Sequence, residues 1–222
     1  MGNQIRQNKT IGVRKKMADI MFCIDYSYSM HHCIVGVRDT VNDFVSTLEA
    51  GIRGQMPVDW RIGLMAYTGE EFKFVDLAED TVKFKKILNT SADGGDEFTP
   101  GAIDYTISNT NWREGAQRVI VVFTDESLET GKGGADEFDN LLKKIVDSHI
   151  QIIYYGEKCP YYAKFEQCPK AEVNVVSNFS GISFSELMNR LAVTVSSGNA
   201  FSGKNPVVKK MVYSMSDIKI RK

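Results

Sequence analysis

The sequence predicts an α/β domain, doubly wound, with a mostly parallel central sheet, one antiparallel edge strand and helices on both faces. Three observations predict it. The runs Ala18–Ile24 and Val119–Phe123 are nearly or wholly apolar, as strands buried on both faces of a sheet are. Each run ends at a carboxylate, Asp25 or Asp125. Strand-like segments then alternate with segments of helical apolar spacing, the pattern of a parallel sheet. With 222 residues and 43% hydrophobic side chains, the chain can bury one sizeable core as a soluble globular domain.

The elements follow in order. The first strand, within ADIMFCIDYSYSM (Ala18–Met30), stops at Asp25, with Ser27 and Ser29 two and four residues later. From Met30 to about Arg53, Ile34, Val37, Val41, Phe44, Val45, Leu48 and Ile52 fall at helical spacing. Trp60–Tyr67 reads as a second strand, and the turn Thr68-Gly69-Glu70-Glu71 leads into a third, Phe72–Leu77, pairing antiparallel at the edge. A short helix is expected over Thr81–Leu88. After the loop Asn89–Phe98, Thr99-Pro100 opens a helix through about Ser108, with Thr99 suited to the N-cap and Pro100 to the first helical position. Arg118–Asp125 is the fourth strand, Ala135–Ser148 a helix, and Ile150–Tyr155 the next strand. Residues 156–171 read as an irregular loop, Glu172–Val176 as a last strand and Ser185 to about Ser196 as a last helix. Residues 200–222 read as an extension outside the core, with a possible strand at Met211–Ile220.

In open α/β sheets ligands bind at the carboxyl ends of the strands. Asp25, Ser27 and Ser29 converge there, and a parallel neighbour ending at Asp125 reaches the same edge. Carboxylates and hydroxyls are hard oxygen donors, suited to Mg²⁺ or Mn²⁺ rather than zinc or copper. Charge agrees: residues 1–18 carry five basic residues and no acid, and 199–222 six basic and one acidic, so the formal net charge of −1 leaves about −11 for the body between them. An acidic body suits a cation and argues against nucleic-acid binding by the fold itself. No window is long enough for a membrane span, and MGNQIRQNKT lacks an apolar leader core; Arg6 stands where a myristoylation signal wants Ser or Thr. Four cysteines, one inside the first strand, fit a reducing, cytoplasmic compartment.

These residues resemble the von Willebrand factor A (vWA) domain with its metal-ion-dependent adhesion site (MIDAS). The family's D-x-S-x-S stands here as Asp25-Tyr26-Ser27-Tyr28-Ser29. Its helix-opening threonine is matched by Thr99 in GGDEFTPGA, and its strand-closing aspartate by Asp125 in VIVVFTDES. The three motifs occur in the family's order, and the resemblance covers roughly 18–198, leaving basic extensions at 1–17 and 199–222. It implies a Rossmann-like fold of intracellular type, with Ser27, Ser29 and, in some states, Thr99 contacting Mg²⁺ or Mn²⁺, and Asp25 and Asp125 close by. It also implies one open coordination position, which a partner protein's Asp or Glu fills. The module would then be no enzyme but an adaptor in a multi-protein assembly, such as one built on an AAA+ ATPase or a kinase/phosphatase signalling or defence system. Two residues depart from the pattern: Tyr28 and Glu126 stand where the family has Gly. Glu126 is expected to face the metal or an acidic partner, and Tyr26 and Tyr28 to rim the site.

Two other functional readings are carried alongside, a metal-dependent phosphoester hydrolase and a structural scaffold whose site holds no ion. Carboxylates at strand ends also serve phosphoryl transfer, but the chain has no GxxxxGK[ST] loop, no lysine beside the trio, and no general base beyond Glu126. His31, His32 and Cys33 are read as first-turn residues pointing apart, not a soft-metal site. Cys159 and Cys168 are two thiols or a loop disulfide, with thiols favoured. Tyr154, Tyr155, Tyr161 and Tyr162 form either a partner surface or packing. Asp93, Asp96 and Glu97 either tune the site's charge or belong to a solvated loop.

Overall fold

A computed structural model describes residues 16–50, 58–69, 71–90, 94–95, 98–126, 134–169 and 171–176. The strands are β1 (Lys16–Asp25), β2 (Val58–Thr68), β3 (Glu71–Ala78), β4 (Gln117–Thr124), β5 (Ile150–Gly156) and β6 (Glu172–Val175). The helices are α1 (Ile34–Ala50), α2 (Val82–Leu88), α3 (Thr99–Asn109), α4 (Gly134–Asp147) and α5 (Pro160–Ala163), with 3₁₀ turns at Ser29–His32 and Lys164–Gln167. The expected last helix at 185–196 and the extension beyond 199 lie outside the described residues.

The sheet runs β3-β2-β1-β4-β5-β6. All neighbours are parallel except β3, which pairs antiparallel with β2 at the edge. The chain leaves β1 toward β2 and leaves β4 toward β5, so the winding reverses between β1 and β4. Their carboxyl ends form the switch point, and such switch points are where doubly wound sheets bind ligands.

Side-chain alternation along β1 divides the core. Ile20, Phe22 and Ile24 face α1 and α2, where Phe22 meets Phe44 and Phe84 edge-on at 5.5 and 5.7 Å between ring centroids. Met21 and Cys23 face the other layer, built on α3, α4 and α5 with Ile103, Phe138 and Ile145. Each large apolar side chain so buried contributes about 1.5–3 kcal/mol relative to exposure, and neither layer is polar enough to be left open.

Three local expectations change. The helix expected from Met30 begins instead with a tighter 3₁₀ turn, closed by His31 N–H to Tyr28 O (3.0 Å) and Cys33 N–H to Met30 O (2.9 Å), and α1 proper starts at Ile34. The segment expected to be irregular, 156–171, contains α5 and a 3₁₀ turn. Their Tyr162 and Phe165 are fully buried against Phe138 and Tyr154, with Tyr154 and Tyr162 stacked at 4.7 Å. Tyr154, Tyr155 and Tyr162 are therefore core, and Tyr161 packs half-buried beside them. Cys23, Cys33, Cys159 and Cys168 are all buried thiols; burial, with the nearby Asp125 and Asp25 charges, pushes Cys33 up to about 12, which keeps it protonated and unreactive. Thr99, finally, is not the cap of α3 but its first helical residue: the cap is Phe98, at φ −144° and ψ 64°.

At the amino end of the sheet lies a charge cluster that the sequence reading missed. Asp19, fully buried on β1, accepts from Arg61 Nη2 (2.9 Å) and Nε (3.1 Å) and from the backbone N–H (2.8 Å) and Nε (2.9 Å) of Arg113. Arg113 also reaches Asp59 at 2.7 Å. Burial alone would raise the Asp19 carboxyl, but the hydrogen bonds from Arg61 and Arg113 outweigh it and hold it below its ordinary value.

Candidate metal centre

The centre is assembled where β1 and β4 end. β1 stops because Asp25 turns its own carboxylate back on the chain: Oδ1 accepts the Ser27 N–H at 2.8 Å, a local turn that aspartate favours. Its Oδ2 accepts the Thr124 hydroxyl, also at 2.8 Å, which ties the ends of the two strands together. Ser27 then pairs with Gly94 as an isolated parallel bridge, and the Tyr28 N–H donates to Gly94 O at 3.1 Å. Only glycine fits there, since a Cβ at residue 94 would lie 2.0 Å from Thr68 Cβ.

Two rows of hydroxyls result, and proton counting orients both. Ser29 Oγ donates to Asp125 Oδ1 at 2.8 Å, so Ser27 Oγ donates to Ser29 Oγ, also at 2.8 Å. In the deeper row Thr124 gives its single proton to Asp25 and accepts from Thr99 Oγ1 (3.3 Å) and from the Glu126 N–H (3.0 Å). Thr99 having donated, the Tyr67 phenol at 2.5 Å must be the donor to it. Burial, followed by the Asp25 charge, raises the Tyr67 phenol well above its usual value and keeps that proton in place. Both rows deliver their protons to a carboxylate.

The structure thus joins Asp25, Ser27, Ser29 and Asp125 directly and brings Thr99 in through Thr124. This set of two carboxylates and three hydroxyls, with no thiol or imidazole, fits a hard divalent cation. Among the described residues no group of three or more His, Cys, Asp or Glu side chains is gathered to hold a metal, so any ion here needs the hydroxyls. His31 and His32 are exposed and diverge: His31 stacks on Tyr28 at 6.0 Å, while His32 Nδ1 bonds Ser29 O at 2.7 Å. Asp93, Asp96 and Glu97 lie outside the described residues.

One rim expectation is corrected. Tyr26 is 1% exposed, continues the Ile20-Phe22-Ile24 face into the core and donates its hydroxyl to Leu88 O at 2.5 Å, with Arg38 over its ring. Tyr28 does lie outside, 77% exposed. Glu126, expected to face the metal or an acidic partner, is buried, and its Oε2 accepts the Thr99 N–H (3.2 Å) and the Tyr162 hydroxyl (2.7 Å). Burial and then the Glu126 charge hold the Tyr162 phenol far above its normal range, so it stays a donor.

A doubly wound sheet with oxygen donors gathered at its switch point defines a Rossmann-like binding domain. The von Willebrand factor type A domain model matches residues 19–167, and the chain belongs to that family, whose domains generally mediate protein interactions. Among solved structures the chain resembles proximal thread matrix protein 1 from the mussel byssus (TM-score 0.63, 13% identity, 82% of this chain and 47% of that one). It therefore spans about half the length of that protein, which is also known with a zinc-occupied MIDAS motif (TM-score 0.61, 15% identity, 80% of this chain and 45% of that one). It is similar to the SpRpn10 VWA domain (TM-score 0.61, 17% identity, 82% of this chain and 97% of that one). The pilus adhesin SpaC of Lactobacillus rhamnosus GG gives a TM-score of 0.59 at 16% identity, over 81% of this chain and 30% of that one. At these identities the likeness is one of fold. A search of curated protein sequences finds no match.

Proposed function

We propose that the chain is a metal-dependent protein-interaction module without chemistry of its own. Asp25, Ser27, Ser29, Thr99 and Asp125 hold Mg²⁺ or Mn²⁺, all five offering hydroxyl or carboxylate oxygen where β1 and β4 end. When bound, the ion supplies an open coordination position for a partner's Asp or Glu. The single observation that carries this reading is the direct hydrogen-bonded row from Ser27 through Ser29 to Asp125, set on Asp25 at the switch point. Against the phosphoester hydrolase stands Glu126, the one candidate base, which is turned inward and engaged by Thr99 and Tyr162.

We place the module at 18–198, between basic extensions at 1–17 and 199–222, and its role as an adaptor in an intracellular assembly; an AAA+ ATPase or a kinase/phosphatase signalling or defence system is the partner class the family likeness suggests. Four buried thiols support a reducing, cytoplasmic setting. Among the described residues no helix is long and apolar enough to cross a membrane. The test is capture of partners from native lysate with and without EDTA. Recovery of a specific protein that chelation abolishes supports the reading, and recovery of every partner unchanged by chelation overturns it.

Tyr28 gives that interface its aromatic anchor. Its ring is exposed beside Ser27 and Ser29 and stacks on the His31 ring. Tyr28→Ala is expected to weaken the captured partner by about 1–3 kcal/mol, the cost of losing an interface anchor, with cation affinity and thermal midpoint unchanged. Joint loss of stability and partner binding would make it a packing residue.

A further inference from the structure

Glu126 holds together three elements that the sheet alone does not fix. Its own N–H donates to Thr124 Oγ1 at 3.0 Å, at the end of β4. One oxygen of its side chain, Oε2, accepts the first-turn N–H of α3 at Thr99 and the phenol of Tyr162 on α5, at 3.2 and 2.7 Å. Phe98, the cap residue of α3, provides no side-chain cap, so Glu126 supplies from 27 residues away the acceptor that a helix start requires. A negative carboxylate is also favoured by the positive end of the helix dipole. Asp125 precedes Glu126 directly, and Thr99 is its partner. The Thr99 hydroxyl already reaches Thr124, and the buried Glu126 side chain, held in turn by Tyr162, adds a second tie through the Thr99 N–H between the helix start and the strand end that carries Asp125.

We propose that Glu126 is a positioning residue for the metal centre: held by the Tyr162 hydroxyl, it fixes Thr99 and Asp125 at the separation the cation requires and is not itself a ligand. This rests on the reading of the site as a metal centre. The chemistry makes the claim specific. Because both hydrogen bonds fall on one oxygen, a glutamine amide can accept both, so the role needs the acceptor and not the charge. A ligand or an electrostatic role would need the charge.

The test titrates Mn²⁺ alone into the full chain and its variants by calorimetry, with thermal midpoints measured in parallel without metal. Glu126→Ala is expected to weaken Mn²⁺ by about ten-fold or more, the usual cost of removing a group that orients a ligand. Tyr162→Phe, which keeps the buried ring, should weaken it in the same sense, and the double variant should be no weaker than Glu126→Ala alone. Glu126→Gln should stay within about threefold of wild type. If Glu126→Gln loses as much as Glu126→Ala while Tyr162→Phe changes nothing, Glu126 acts by charge and the proposal is wrong. It is equally wrong if Glu126→Ala lowers only the thermal midpoint. Should Glu126→Ala fail to fold, the contrast between Glu126→Gln and Tyr162→Phe decides alone. Wild-type protein that binds no Mn²⁺ refutes the metal centre itself, and the positioning role with it.

Discussion

Replacing Asp25 by alanine is expected to abolish Mg²⁺ and Mn²⁺ binding in a calorimetric titration. The carboxylate is fully buried at the end of the central strand and is bonded to both halves of the centre, the Ser27 amide and the Thr124 hydroxyl. Its loss removes a negative charge from the centre and strands two buried donors, each costing about 1–3 kcal/mol. Asp25→Ala should therefore also lower the unfolding free energy. Asp25→Asn separates the effects, because its amide oxygen can still accept from Ser27 while the charge is gone. It should lose cation binding with a smaller drop in stability. Equal affinity in wild type and either variant would remove Asp25 from the site.

The largest stability effect is expected at the other end of the same strand. Asp19→Ala leaves Arg61 and Arg113, both mostly buried, without their shared carboxylate, and breaking such a pair costs about 3–5 kcal/mol. Denaturant unfolding at neutral pH measures it directly. The pH dependence has a definite sign. The folded-state value of Asp19 lies below its unfolded value, so its contribution is complete above the ordinary carboxylate range and disappears as pH falls through the folded value. The stability gap between wild type and Asp19→Ala should narrow in acid. A gap that stays constant down through the carboxylate range would show that the loss is one of packing, not charge.

Much of this architecture could be read directly because its signals are local. The apolar runs ending at Asp25 and Asp125 gave both the strands and their shared edge, and the turn around Gly69 gave the antiparallel edge strand. Tyr26 was also legible, though it was misplaced: it lies two residues past Ile24, and period-two alternation carries that face into the core. Tyr162 and Phe165, three apart, carry a helical spacing within a segment that otherwise reads as irregular. Thr99-Pro100 has the local pattern of a cap and first helical residue, but the cap is Phe98 and the threonine hydroxyl pairs with Tyr67 instead. The contacts that escaped reading are long-range. Asp19 meets Arg61 and Arg113 only once strand register is known, and Glu126 meets Tyr162 across 36 residues through the stacking of α5 on the sheet. Sequence spacing carries no record of either meeting.

The central position of β1 has a consequence for how the protein is made. Its two neighbours are contributed by residues 58–67 and 117–123, so β1 is enclosed on both sides only after β2, β3 and β4 have followed it in the chain. Until β4 has left the ribosome, one edge of β1 has no ladder partner, Asp19 lacks Arg113 and Asp25 lacks Thr124. Parallel pairing across so many residues is slow, and apolar strands waiting for it are open to aggregation. The stretch from Asp25 to Gln117 must therefore be made before β1 is paired on both sides, which makes the growing polypeptide, rather than the finished domain, the form open to aggregation.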